Sequence, residues 1–253
     1  MSNTATAGAA QSAALDVLYS NATGHSDPLG PAYPALVAKL DENARLAHRL
    51  LPVDRQAATR LLACRTADYK CRLAKLCVFC SLDRTNALVE RYQARLGGVV
   101  NAVHLTLTRR TEPFLKRSSI QGLKDSFRAV RESRPIRRIV RGGLVNVELA
   151  TRGRRWQPHV HAVLDCADTL PIKLIRAQWK LRTGGQQVEV KSVQLGEATN
   201  TFAYSTFLPD FPDNADLIAQ YYRATKGTMF VQAWGSLHHA KGRAVGLGRG
   251  TAR

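Results

Sequence analysis

The stretch VELATRGRRWQPHVHAVL, residues 147–164, decides the fold, because it joins two segments of alternating side chains through a turn at Arg152-Gly153. The first segment, 144–151, and the second, 159–164, have the period of two that is typical of β-strands. A short turn between two strands predicts a hairpin, and the strands of a hairpin pair antiparallel. The sequence therefore predicts an antiparallel sheet.

The same stretch carries a pattern with chemical meaning. His159 and His161 are two residues apart, so the strand period places both imidazoles on one face of the sheet. Glu148 shares one face of the partner strand and can oppose the histidine pair. Two histidines and one carboxylate would hold a divalent ion and leave positions for water and phosphate oxygens. A chance pair of surface histidines is the alternative, and the pattern by itself does not separate the two.

The rest of the chain interleaves helical and strand periods. Further strands are predicted at 99–108 and 187–193, and His104 on the polar face of the first of these is expected to be structural. Together with the hairpin, this pattern predicts an α+β fold in which an antiparallel sheet is flanked by helices, with a cysteine-rich helical segment at the N-terminal side. Helices are predicted at 33–51, 57–62, 83–96, 113–133, 171–181, 200–207 and 216–226.

Composition narrows the partner class and the domain plan. The 253 residues include 37 lysines and arginines against 19 acidic residues, a formal net charge of +18, and a 45% hydrophobic content excludes wholesale disorder. This surplus favours nucleic acid as the partner. The sequence has no apolar run of about 18 residues and no secretory signal pattern, so we expect no membrane partner and a cytoplasmic location. The expected parts are a flexible leader (1–33), a helical cysteine segment (34–98), the sheet domain (99–240) and a basic disordered tail (241–253).

Four of the five cysteines fall within a short segment, at Cys64, Cys71, Cys77 and Cys80. The last two form a C-x-x-C knuckle, and four thiolates are the ligand set that tetrahedral zinc prefers. The segment therefore predicts a structural zinc site. Scattered core cysteines are the alternative, since Cys64 follows an apolar helical stretch, and Cys166 is expected to be core.

Three ordered segments resemble the motifs of the HUH endonucleases, in particular the rolling-circle replication initiators of bacterial plasmids. These segments are VHLTLT (103–108), the stretch 147–164 with its W-x-P-H-x-H pattern, and a later helix with a tyrosine. CRLAKLCVFC (71–80) is similar to the cysteine-rich stretch upstream of the first motif in such initiators, and YYRATKGTMFVQAWGSLHH (221–239) is similar to their closing segment.

The resemblance implies a ferredoxin- or RRM-like sheet of four or five strands with helices against it. In such a domain His159, His161 and Glu148 bind Mg or Mn, which polarises the scissile phosphate of single-stranded origin DNA. A tyrosine hydroxyl then forms a 5′-phosphotyrosine and releases a 3′-OH that primes replication. A host helicase is a further candidate partner.

Tyr204, in EATNTFAYSTFLPD (197–210), lies where the family has its nucleophile, with Tyr221 and Tyr222 as alternatives. The sequence departs from the family here, because Phe207 stands where a lysine is usual and Asn200 where an acid often serves the terminating hydrolysis. Glu197, a further helical turn back, is the candidate acid on the same face as Tyr204.

Arg152, Arg154 and Arg155 near the hairpin turn are candidate phosphate contacts, and Trp156 is expected either to stack on a base or to pack in the core. Two other functions are left open. One is a non-catalytic, zinc-containing nucleic-acid-binding protein, and the other is an HUH transposase or mobilisation relaxase.

Overall fold

The computed structural model describes residues 41, 44–64, 70–185, 187–194, 197–205 and 214–238, with the backbone alone at positions 204 and 205. The predicted leader (1–33) and tail (241–253) lie outside these residues. The chain divides into two compact units, Met1–Arg72 and Leu73–Arg253. The predicted division of the chain at residue 98 rests on motifs alone and stays a prediction.

The described part of the first unit is helical. Residues 44–50 form helical turns, and helix α1 spans Arg55–Ala63. Asp54 caps α1, because its side chain accepts a hydrogen bond from the Ala57 backbone N–H at 2.9 Å. Leu46, Leu50 and Leu61 are buried, which is the result expected from their helical spacing.

The second unit is built on one antiparallel sheet of five strands in the order β4-β1-β3-β2-β5. The α+β fold class predicted from the sequence is therefore confirmed. The strands are β1 Ala102–Thr108, β2 Val140–Arg152, β3 Arg155–Cys166, β4 Val188–Val193 and β5 Val231–Gly235.

The predicted hairpin is the central pair of the sheet, β2 and β3, which turns at Gly153 in the left-handed region (φ 61°). Both strands are longer than the sequence indicated. Gly142 and Gly143 lie inside β2 rather than before it. A Cβ built on Gly143 would lie 2.4 Å from the side chain of Trp234, so glycine there permits close packing of the β5 tryptophan.

Helices cover both faces of the sheet. They are α2 Val78–Gly97, α3 Arg117–Arg131, α4 Arg134–Ile139, α5 Ile172–Thr183, α6 Ala198–Ser205 and α7 Ala215–Thr225. Helix α3 packs on the face of β2 and β3 that carries Leu164, and its Phe127 makes an edge-to-face contact with Trp234, with the ring centroids 5.6 Å apart.

The opposite face is covered by α2 and α6 at the end where β1 and β2 begin. Tyr92 and Leu96 of α2 and Phe202 of α6 form a core cluster with Leu144 and Val163 of the sheet. The rings of Tyr92 and Phe202 meet edge to face, with their centroids 6.2 Å apart. The other end of this face carries polar side chains. None of the helices in the described ranges has the length and apolar character that crossing a bilayer requires.

Candidate functional site

Strand register brings the predicted trio onto one face of the sheet. His159 lies opposite Glu148 of β2 and opposite Thr108 of β1. His161 lies two residues further along β3, so its side chain points to the same side. It is paired with Thr106 of β1. This face is the one that α2 and α6 cover at its other end, because Val163 follows in the same alternation.

Glu148 and His161 are in direct contact. The Oε2 atom of Glu148 lies 2.5 Å from Nε2 of His161, and the two side chains are 32% and 17% exposed. The hydrogen bond from His161 lowers the pKa of Glu148, and burial opposes this effect. The carboxylate is therefore ionised at neutral pH and reachable from solvent.

Two threonines of β1 hold the Nδ1 atoms of the histidine pair. Thr108 Oγ1 lies 2.9 Å from Nδ1 of His159, and Thr106 Oγ1 lies 3.3 Å from Nδ1 of His161. A hydrogen bond at Nδ1 fixes the ring orientation and leaves Nε2 for a ligand. The T-x-T spacing in VHLTLT thus has a physical role, which is to orient both imidazoles.

His104, which was expected to be structural, lies against His161 on this polar face. Its ring stacks on His161, and its Nε2 atom lies 3.4 Å from Nδ1 of His161. Burial and the neighbouring His161 lower the pKa of His104. In the sequence, His104 alternates with Thr106 and Thr108, which places the three side chains on one face. Only the pairing of β1 with β3 shows that His104 lies beside His161.

His159 and Glu148 offer donor atoms whose type and protonation state suit a divalent ion. Burial lowers the pKa of His159, so its imidazole is neutral at pH 7, and Glu148 is ionised. The ring centroids of His159 and His161 are 6.1 Å apart. Their donors do not converge on one point together with Glu148. Within the described ranges, the cysteine cluster is the only group of three or more His, Cys, Asp or Glu residues whose donor atoms lie close enough together to hold an ion.

Helix α6, which carries Tyr204, packs on the same face as the histidines. Its residues Ala198 and Phe202 belong to the core cluster with Val163. The side chain of Tyr204 lies outside the described residues, as does Phe207. Tyr204 as the nucleophile therefore stays a prediction.

Glu197 lies at the N-terminus of α6 and is exposed. Its carbonyl accepts the first helical hydrogen bond, from Thr201 at 2.9 Å. Its carboxylate accepts a hydrogen bond from Nδ2 of Asn200, also at 2.9 Å. The predicted acid Glu197 and Asn200 are thus hydrogen-bonded to each other in the structure.

Trp156 packs in the core, which is one of the two roles expected from the sequence. It is fully buried, its ring stacks with that of Tyr221 at 6.0 Å between centroids, and its Nε1 donates to Oε1 of Gln220 at 3.0 Å. The expectation that Trp156 stacks on a base is therefore wrong, because a buried ring presents no face to DNA. Burial also raises the pKa of Tyr221, which makes it a poor source of a nucleophilic oxygen.

The four clustered cysteines come together as the sequence indicated. All four are buried, and their Sγ atoms lie within 4.8 Å of one another, so the group could hold a metal such as zinc. The backbone N–H of Cys71 donates to Sγ of Cys64 at 3.3 Å. Helix α2 begins at Val78, five residues before the predicted start. Cys77 is therefore its N-cap residue, and Cys80 lies in its first turn. Cys166 lies apart, and burial raises the pKa of its thiol to about 11.

The arginines of the hairpin turn are exposed at the end of the sheet near His159. Arg152 pairs with Arg155 at the ends of β2 and β3, and Arg154 lies in the turn. Arg155 donates to the Thr111 hydroxyl and carbonyl, each at 3.2 Å, so the turn is joined to the loop after β1. These positions suit contact with phosphate, and this role stays a prediction.

No family model, curated protein or solved structure matches the chain.

Proposed function

We propose that the protein is a metal-dependent nickase and strand transferase that cuts single-stranded origin DNA through a phosphotyrosine and starts rolling-circle replication. The observation that carries this proposal is the strand register, which brings His159, His161 and Glu148 together on the sheet face against which α6 packs. This arrangement agrees with the motif order that resembles HUH endonucleases.

In this proposal, side chains on the histidine face bind the ion, and neighbouring side chains orient these ligands. His159, His161 and Glu148 would hold Mg or Mn, with Thr108 and Thr106 keeping the two imidazoles in place. A bound divalent ion would withdraw charge from a phosphate oxygen. To act as a ligand, Glu148 would have to give up its hydrogen bond with His161.

The nucleophile in this proposal is the hydroxyl of Tyr204. Its oxygen forms a bond to phosphorus as the bond from phosphorus to the 3′ oxygen breaks. The tyrosine proton passes to water, and the departing 3′ oxygen gains a proton to become a 3′-OH. The phosphodiester energy is kept in the covalent link, so a later hydroxyl can rejoin the strand without a nucleotide cofactor. Glu197 is the proposed acid of the terminating step.

The remaining assignments accompany this function. Zinc is the proposed ion of the cysteine cluster, where it would be structural. The proposed partners are origin DNA and a host helicase, and replication of a plasmid would take place in the cytoplasm. Arg152, Arg154 and Arg155 are the proposed phosphate contacts.

The test is formation of a covalent adduct. Purified protein is incubated with 3′-labelled single-stranded oligonucleotides from its own replicon, with Mn or with EDTA, and resolved on a denaturing gel. We expect an adduct that requires Mn, disappears in Tyr204→Phe and persists in Tyr222→Phe. If Tyr204→Phe retains the adduct, the nucleophile is another tyrosine.

A second candidate function is a zinc-containing nucleic-acid-binding protein without catalysis. The pairing of Glu197 with Asn200 favours it, because the carboxylate is engaged where a terminating acid would have to act. Nucleic-acid binding that does not depend on Mn, with no adduct from folded and Mn-loaded protein, would support this function instead. An HUH transposase or relaxase shares the chemistry, and an adduct with transposon ends or a transfer origin in place of a replication origin would identify it.

A further inference from the structure

One end of the sheet gathers cations from three parts of the chain. The antiparallel order places the ends of β1 and β2 and the beginnings of β3 and β4 at the same end. Exposed basic side chains lie on the loop after β1, the hairpin turn and the last turn of α5. We name this group the basic end; it comprises Arg110, Arg152, Arg154, Arg155, Lys180 and Arg182.

Hydrogen bonds hold these parts together. The backbones of Glu112 and Trp156 exchange two hydrogen bonds of 2.8 Å, which join the loop after β1 to the start of β3. On the other side, Nε1 of Trp179 donates to the Thr108 carbonyl at 2.8 Å, so α5 is tied to the end of β1. A Cβ built on Gly184 would lie 3.6 Å from Cδ of Arg110, which brings the end of α5 beside that arginine.

The acidic side chains of Glu112 and Glu189 at this end have partners outside the basic end. Glu112 accepts a hydrogen bond from the Ser119 hydroxyl at 3.1 Å, and Glu189 pairs with Lys191 at 2.9 Å. The guanidinium groups of Arg152 and Arg154 are at the exposed turn. Cations held close together in this way favour a polyanion that follows them from one to the next.

An exposed aromatic ring lies in the same loop. Phe114 is 64% exposed, although Leu115 beside it is buried. An exposed ring on a basic surface is typical of proteins that bind single-stranded nucleic acid, because unpaired bases stack on the ring while phosphates contact the cations. In a duplex the bases are already stacked, so the ring would have no base to bind.

We infer that the basic end binds single-stranded DNA, with phosphates on its cations and a base on Phe114, and leads the strand to the histidines. Arg155 is four residues before His159 in β3, which corresponds to roughly 13 Å along the strand. A strand held at this end would reach the face that carries Glu148. The choice of DNA over RNA rests on the proposed function.

The first experiment compares two variants with the same loss of charge. Arg152→Gln/Arg154→Gln changes the basic end, whereas Arg137→Gln/Arg138→Gln changes exposed arginines at the opposite end, just before β2 begins. Binding of a fluorescent oligo-dT of about 20 nucleotides is followed by anisotropy in EDTA over a salt series. We expect the first variant alone to bind more weakly and to reduce the salt slope by about 1.4. Equal effects of both variants would overturn the inference, because net charge alone would then explain binding.

The second experiment tests the ring. Phe114→Ala should weaken oligo-dT binding on the order of tenfold, and Phe114→Trp should keep it. Val100→Ala is the control, because Val100 is 80% exposed but stands before the start of β1. Unchanged binding in Phe114→Ala, or tighter binding of duplex or of oligo-U RNA than of oligo-dT, would overturn the inference.

These outcomes are distinct from those of the nicking test. Binding in EDTA requires no cleavage, so protein that binds through the basic end without forming an adduct contradicts only the proposed function. If the protein forms the adduct but its DNA binding does not change in Arg152→Gln/Arg154→Gln, this inference and the phosphate contacts are contradicted, and the nicking activity is not.

Discussion

His104 stacks on His161, with the ring centroids 5.5 Å apart and the ring planes at 20°. Together with Thr106, it engages the Nδ1 side of His161 while Glu148 engages the Nε2 side. The imidazole of His161 is therefore held on both edges and across one face. In the proposed metal site, His104 would therefore act on ion affinity through His161, as a positioning residue does.

His104→Phe should weaken Mn binding by about tenfold, because phenylalanine preserves the stacked ring but removes the nitrogen beside Nδ1 of His161. Affinity is measured from the free-Mn EPR signal, without DNA. His238→Phe is the matched control, since His238 is exposed beyond the end of β5. Equal Mn affinity in wild type and His104→Phe would show that His104 is only structural.

Phe202→Ala should abolish adduct formation while leaving Mn affinity intact, because Phe202 attaches α6 to the sheet. The substitution removes a fully buried aromatic side chain and should cost about 3–5 kcal/mol of unfolding free energy. Phe127→Ala makes the same cavity on the opposite face and should be destabilised to a similar degree. Both variants are assayed for the adduct below their melting temperatures. Loss of the adduct in both would mean that α6 docking is not the cause.

Tyr221 should remain protonated in the native protein well above pH 10. Burial raises its native pKa, whereas an unfolded tyrosine titrates near pH 10. The native state therefore holds this proton where the unfolded state has lost it, and the unfolding free energy should fall as the pH rises above about 10. Denaturant melts between pH 8 and 11 measure this fall, and Tyr221→Phe should reduce it. An equal fall in the variant would contradict the assignment.

The cysteine cluster should contain about one zinc ion per chain after purification without chelator. Cys77→Ser should lose this zinc and melt at a lower temperature, because the binding energy of a structural ion contributes to folding. Metal content is measured by plasma mass spectrometry. Cys166→Ser is the matched control, because Cys166 is also buried but is not part of the cluster. This variant should retain the zinc ion. Zinc retained in Cys77→Ser would argue against the cluster as the site.

The hairpin, its turn and the shared face of His159 and His161 could be predicted from the sequence, because alternation and turn preference are properties of consecutive residues. The C-x-x-C knuckle could be predicted for the same reason. Strand and helix ends were less accurate. Gly142 and Gly143 indicated a break before β2, but packing of Trp234 keeps them inside the strand.

By itself the sequence determined which side chains alternate on each strand, the surplus of positive charge and the spacing of the cysteines. Only the tertiary structure decided that Trp156 is buried, that His104 stacks on His161, and that cations of three segments meet at one end of the sheet. These relationships join residues that are far apart in the sequence, such as His104 and His161, which are 57 positions apart. Local periodicity carries no information on such distances, because pairing register and core packing settle them for the whole chain at once.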